Sequence, residues 1–231
     1  MTDPAIQIEG LRFAWNGAKP VLDVPAFTLA RGERLFLRGP SGSGKSTLLG
    51  VIAGVLVADA GRVSVLGQEL GGLSSAARDR MRADHLGVIF QMFNLVPYLS
   101  VVGNVTLPLK FSDRRRRIVG GDADAEARRL LGRLGLTDEA LLARRVSDLS
   151  VGQQQRVAAA RALIGGPEIV IADEPTSALD SDARDRFIEL LSEEAARTGA
   201  ALLFVSHDAS LARLFDRAVD LAEINQAGVS A

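Results

Sequence analysis

The chain has no cysteine among its 231 residues. That absence excludes disulfides, thiolate zinc sites and cysteine nucleophiles together. An excess of one charge is also missing. Lys+Arg 27 against Asp+Glu 28 leave a formal net charge of -1, so there is no electrostatic reason to expect a nucleic-acid partner. Long apolar runs are missing too: the stretch from Leu48 to Ala58 stops at Asp59, whereas a membrane-spanning helix needs about 20 such residues. Met1 to Gly10 contains neither Lys nor Arg, and no secretory signal is read there. We see no internal repeat and no low-complexity tract. The expectation is a cytoplasmic protein whose role at a membrane, if it has one, is lent by a partner.

What is present is ordinary globular material. With 47% hydrophobic and 24% charged residues, the chain can build one large core carrying a smaller inserted subdomain. Ile6 to Phe13 alternates apolar and polar residues and reads as a strand. Phe27 to Leu37 reads as two short strands joined at Arg31-Gly32. Further strands are expected at Arg62 to Leu66, Gly87 to Phe90, Glu168 to Ala172 and Ala201 to Val205. The last two are nearly continuous apolar runs, as in parallel strands covered on both faces. From about Ser100 to Gly165 helical periodicity dominates. The predicted fold class is therefore α/β: a core with a parallel-rich sheet, an N-terminal antiparallel β subdomain and an inserted helical subdomain. Its core is expected over about 1–95 and 166–231, and the helical part over about 96–165. Ser112 to Asp124, with its run Arg114-Arg115-Arg116-Arg117, reads as an exposed, solvated linker, and His85 reads as a surface residue.

Leu35-Phe36-Leu37 leads into Gly39-Pro40-Ser41-Gly42-Ser43-Gly44, followed by Lys45, Ser46, Thr47 and a helical pattern to Gly54. This matches the phosphate-loop pattern G-x-x-x-x-G-K-[ST] in its required strand–loop–helix context, so the α/β core is expected to be that of a P-loop NTPase. The glycines let successive N–H groups curl inward on phosphate oxygens, and the helix start adds its positive dipole end. Lys45 supplies a compact charge for the β- and γ-phosphates of a nucleotide, and the Ser46 hydroxyl a ligand for Mg²⁺. The run Ile169 to Ala172 ends in Asp173-Glu174 before Pro175, delivering two carboxylates to a strand's C-terminal edge, where ligands bind in such sheets. Asp173 suits the Mg²⁺ shell, and Glu174 suits polarisation of an attacking water.

Across nearly its whole length the chain resembles the ABC ATPases. Leu149-Ser150-Val151-Gly152-Gln153 is similar to that family's signature motif, with Val151 where a glycine is usual. The resemblance implies ATP and Mg²⁺ as ligands and a head-to-tail homodimer on ATP binding. In it, Ser150, Gly152 and Gln153 close on the γ-phosphate held by the other subunit. It further implies that Gln91 is a Mg²⁺ ligand sensing the membrane partner and that Ser177-Ala178-Leu179-Asp180 is the dimer-interface D-loop. His207 is then the catalytic switch histidine, and Trp15 the aromatic that stacks on adenine. Phe90 to Leu99, Asn104-Val105 and Leu107-Pro108-Leu109 resemble the ATPases of lipoprotein-release and macrolide-export systems. That implies an integral-membrane permease of the FtsX-like type at the inner face of the cell membrane. Gly103 departs from that group's usual glutamate, and the C-terminal stretch after Asp220 lacks its Asp-Gly turn. The competing readings are a solute-importer ATPase, which would share every catalytic motif, and a DNA-repair ATPase. The gap of roughly a hundred residues between P-loop and signature disfavours the repair reading, since that class inserts a long coiled coil there.

Overall fold

The computed structural model describes residues 3–17, 19–176 and 179–227. The chain begins with β1 (Ile6–Ala14), β2 (Pro20–Leu29) and β3 (Arg34–Arg38), followed by α1 (Lys45–Ile52), β4 (Ala60–Val65) and β5 (Gln68–Glu69). Next come α2 (Ser75–His85) and β6 (Leu86–Ile89). A helical stretch follows: α3 (Val101–Thr106), α4 (Asp113–Val119), α5 (Ala123–Arg133), α6 (Glu139–Leu142) and α7 (Val151–Leu163). The chain then returns through β7 (Ile169–Asp173), α8 (Ser181–Thr198), β8 (Ala201–Ser206), β9 (Arg217–Asp220) and α9 (Leu221–Ile224). Two sheets result: an antiparallel one in the order β2-β1-β4-β5, and a five-stranded one in the order β6-β7-β8-β3-β9 whose pairings are all parallel.

The apolar runs of β3, β7 and β8 feed two cores. Phe36, Val170, Ala172, Leu202 and Phe204 face the helices α3, α5, α7 and α8. Their neighbours Leu35, Leu37, Ile169, Ile171, Leu203 and Val205 face α1 and the antiparallel sheet. Side chains alternate across a strand, so burial on both faces requires a run with no polar gaps. Phe36, Phe204 and Phe215 stack as a trio with centroids 5.1–6.3 Å apart, which ties β3 and β8 to the loop before β9.

One expectation is overturned. The arginine run is helix α4, not a solvated linker. Ser112 caps it by accepting from the Arg115 N–H, and Arg115 is 2% exposed. Its guanidinium donates to the carbonyls of Leu86 (2.5 Å) and Ile164 (3.2 Å). Burial, with the neighbouring charge of Arg114 adding to it, lowers its pKa to about 10. Arg114 meanwhile pairs with Glu168 at 2.5 Å. Backbone carbonyls at the ends of β6 and α7 need donors, and an arginine is long enough to supply both. His85 is part-exposed, and its Nδ1 lies 3.1 Å from Glu168 Oε2. The helical stretch also rests on α8 through Glu194, which is 2% exposed and meets Arg133, Arg129 and Arg197.

Candidate active site

Strand β3 sits between β8 and β9, and its C-terminal end releases the loop 39–44 into the start of α1. Gly44 takes φ +97 there, a left-handed conformation that L side chains avoid and that lets α1 begin at Lys45. Lys45 is 9% exposed and its Nζ donates to the carbonyls of Gly39 (2.7 Å) and Pro40 (3.0 Å). A buried ammonium needs such partners, and these hold it across the mouth of its own loop.

Strand β7 brings Asp173 to the same edge. The Ser46 hydroxyl donates to Asp173 Oδ2 at 3.3 Å. Burial raises the Asp173 pKa above the usual carboxylate range; the Ser46 hydrogen bond opposes this, the Glu174 charge adds to it and Lys45 opposes it. A site that makes a lone carboxylate costly favours a cation beside it. The donor set of a hydroxyl, a carboxylate and the nearby Gln91 amide consists of hard oxygens that fit Mg²⁺.

Glu174 extends the β7–β8 ladder by donating its N–H to Val205 O at 2.9 Å, yet its φ is +47. A non-glycine residue in that region costs about 1–2 kcal/mol. The distortion turns its side chain towards His207, with Glu174 Oε2 2.9 Å from His207 Nδ1. The histidine follows β8 directly and is two-thirds exposed.

These groups line one cleft of about 480 Å³, shared by Trp15, Val21, Ser41, Gly42, Gly44, Lys45, Ser46, Thr47, Gln91, Asp173, Glu174 and His207. Trp15 stands half-exposed at its rim, edge-on to Phe13 at 5.0 Å. Gly39, Pro40 and Ser43 contribute to the loop's backbone but do not line the cleft. Val21, which sequence reasoning passed over, does, and no short motif marks it.

The structure does not bring Ser150, Gly152 or Gln153 into this cleft. Ser150 instead caps α7: its Oγ accepts from the Gln153 N–H (3.3 Å), and Gln153 Oε1 accepts from the Ser150 N–H (2.9 Å). This capping box leaves the Ser150 hydroxyl hydrogen free to donate outward. Val151 beside it is half-exposed. Of the D-loop, Ser177 and Ala178 lie outside the described residues. Leu179 packs near Gly152, and Asp180 caps α8 by accepting from the Ala183 N–H at 2.9 Å.

Two residues tie the segment after Gln91 to the helices. Arg161 of α7 donates to the carbonyls of Phe93 (2.5 Å) and Asn94 (2.7 Å), both at positive φ. Asn104 is fully buried, accepting from the Val96 N–H at 2.8 Å and donating to its carbonyl at 3.0 Å. The Asn-Val pair of the sequence thus has a definite structural task.

A family profile described as "ABC transporter" matches residues 22–177. The "Lipoprotein-releasing system ATP-binding protein LolD" of Ruegeria sp. (strain TM1040) is 40% identical over 228 residues, covering 96% of this chain and 97% of the relative. The uncharacterized ABC transporter ATP-binding protein YbbA of Escherichia coli (strain K12) is 40% identical over 195 residues, covering 83% of this chain and 81% of its own. Among solved structures, the dimeric bacterial ABC transporter cassette MJ0796 superposes with a TM-score of 0.82 at 32% identity, over 93% of each chain. The same cassette in a post-hydrolysis dimer bound to ADP and Pi matches equally.

Proposed function

Since this chain belongs to the ABC transporter family as an ATP-hydrolysing subunit, we propose that it powers a separate integral-membrane permease of the lipoprotein-release or macrolide-export, FtsX-like type. The observation that carries the catalytic part is the meeting of Ser46 with Asp173, and of Glu174 with His207, at one sheet edge beside the P-loop.

In this reading Trp15 stacks on adenine and residues 39–47 wrap the phosphates. Lys45 leaves its loop carbonyls for the β- and γ-phosphate oxygens, a stronger charge-assisted contact. Ser46, Asp173 and Gln91 hold Mg²⁺, which supplies neutralisation of the phosphate charge when bound. Glu174 orients and deprotonates the attacking water, and His207 positions Glu174 and reaches towards the γ-phosphate. Ser150 and Gly152 of a second copy complete the site from a helix start, with Leu179 and Asp180 at the contact between copies. The γ-phosphate is then the group both halves touch, so its cleavage releases them. The division into a core (1–95 and 166–231) and a helical part (96–165) belongs to the same proposal, because ATP would join the P-loop of one to the signature of the other.

For the permease, a groove of about 970 Å³ runs between α2, α4 and the segment after Gln91. Phe90 and Phe111 are exposed along it, and Arg80, Lys110 and Arg117 line it, which suits an amphipathic segment with acidic residues. No helix among the described residues is long and apolar enough to cross a membrane. In the same proposal the permease holds the protein at the cytoplasmic face of the membrane.

The test is affinity purification of the tagged Glu174→Gln protein from native membranes with ATP present, followed by mass spectrometry. Removing the base should reduce turnover by at least about a hundredfold while ATP binding persists. A co-purified permease with a large periplasmic domain supports the proposal. An importer permease with a solute-binding protein overturns the export assignment, and near-normal turnover overturns the role of Glu174.

A further inference from the structure

We infer that the segment from Asp220 to Asn225 is a brace for the P-loop, with Asn225 as the residue that positions the loop's phosphate-facing amides. The Asn225 side chain uses its full hydrogen-bonding capacity. Its Nδ2 donates to the carbonyls of Val21 (2.9 Å) and Ser43 (3.3 Å). Its Oδ1 accepts from the N–H groups of Asp23 (2.8 Å) and Ala227 (3.2 Å). Two donors and two acceptor sites are all that an amide offers. The backbone repeats the link, because the Gln226 N–H donates to Asp23 O at 2.7 Å.

The Ser43 contact matters for a geometric reason. In a trans peptide the carbonyl of one residue and the N–H of the next point in opposite directions. Holding Ser43 O towards Asn225 therefore aims the Gly44 N–H away from it, and Gly44 lines the cleft. The same amide fixes the Val21 carbonyl, and Val21 also lines the cleft. At the loop's other end, Asp220 pairs with Arg38 Nε at 2.9 Å. Leu221, fully buried, packs where a Cβ on Gly39 would lie 3.3 Å from its own. One short segment thus grips the loop at its first residue and at its fifth.

The inference rests on the reading of loop 39–44 as an ATP phosphate site. Its test is titration of ATP with Mg²⁺ into Asn225→Asp and Asn225→Ala, each in a Glu174→Gln background. Asn225→Asp keeps the acceptor for the Asp23 N–H and loses both donations, so it separates P-loop positioning from tethering of the chain end. We expect both variants to bind ATP about fivefold more weakly, as loss of one positioning hydrogen bond implies. In the otherwise wild-type background KM for ATP should rise by the same factor, with kcat at saturation within twofold. The rise in Tm produced by ATP, measured from each variant's own ligand-free Tm, should shrink likewise, so a general loss of stability is cancelled. Wild-type affinity in Asn225→Asp would overturn the inference while leaving the P-loop reading intact, provided Lys45→Ala weakens binding by at least about tenfold. If the parent protein bound no ATP, or Lys45→Ala bound it normally, both would fall.

Discussion

Glu194 offers a quantitative test of how the helical stretch is held to the parallel sheet. It is a carboxylate on α8 with 2% exposure, and its oxygens lie 2.9 Å from Arg133, 3.1 Å from Arg197 and 3.3 Å from Arg129. Arg129 and Arg133 belong to α5, so the contact crosses between the two parts. Burial by itself would raise the Glu194 pKa, but hydrogen bonds from Arg133, Arg197 and Arg129 outweigh it and hold the group below the usual carboxylate range. Glu194→Gln keeps the shape and removes the charge. Stripping one partner from a fully buried pair costs about 3–5 kcal/mol. Here the arginines are between a third and half exposed. They regain water when the charge goes, so the cost falls towards the exposed-pair value of about 0.2–1 kcal/mol for each. Three such contacts give roughly 2 kcal/mol, or about 4–8 °C in Tm for a chain of this length. The pH dependence has a fixed sign. A depressed carboxylate contributes fully above its unfolded value, about 4.3, and loses that contribution as pH falls through the folded value. Thermal melts of wild type and Glu194→Gln should therefore differ at pH 7 and converge in acid. Equal Tm values at pH 7, or a gap that stays constant into acid, would refute Glu194 as the tie between α8 and α5.

Two further outcomes follow from the site and from the buried arginine. Lys45→Ala removes the only side-chain ammonium lining the described cleft, and should reduce ATP affinity by at least about tenfold in equilibrium titration, since charge-assisted phosphate contacts are about twice as strong as neutral ones. Gly165→Ala should lower Tm by roughly 5–10 °C: a Cβ there meets Arg115 Cβ at 2.5 Å, and its φ is +73. A Tm within a degree of wild type would show that α4 yields easily.

The residues proposed as catalytic stood out because each lies in a contiguous stretch whose chemistry demands particular types, and the fold brings them to one cleft. Glycines with Lys45-Ser46 and the strand ending at Asp173-Glu174 carry their context beside them. Strands β7 and β8 were legible for a related reason, being apolar on both faces. Helix α2 was not, since Met81 is its one buried side chain and no apolar period announces it. The burial of Arg115 was hidden more deeply. Four arginines in a row read as solvated, and what draws one inward is a pair of backbone carbonyls that have no sequence identity. Asn225 is similar: its partners Val21, Asp23 and Ser43 are reached through main-chain atoms some 180–200 positions away.

The placement of β3 has a consequence for synthesis. Its hydrogen-bonding neighbours in the parallel sheet are β8 and β9, so Arg34 pairs with Leu202 and Leu35 with Arg217. A ribosome moving at about 5–20 residues per second delivers those partners roughly ten to thirty seconds after β3 emerges. During that interval Leu35, Phe36 and Leu37 have neither strand to pair with, and the nascent chain presents an apolar segment ahead of a loop that cannot yet be shaped. The loop after β3 is thus translated well before the two strands that flank β3, and it can take its shape only once they have emerged. A nascent chain released before β8 would have the P-loop motif and no means of folding it.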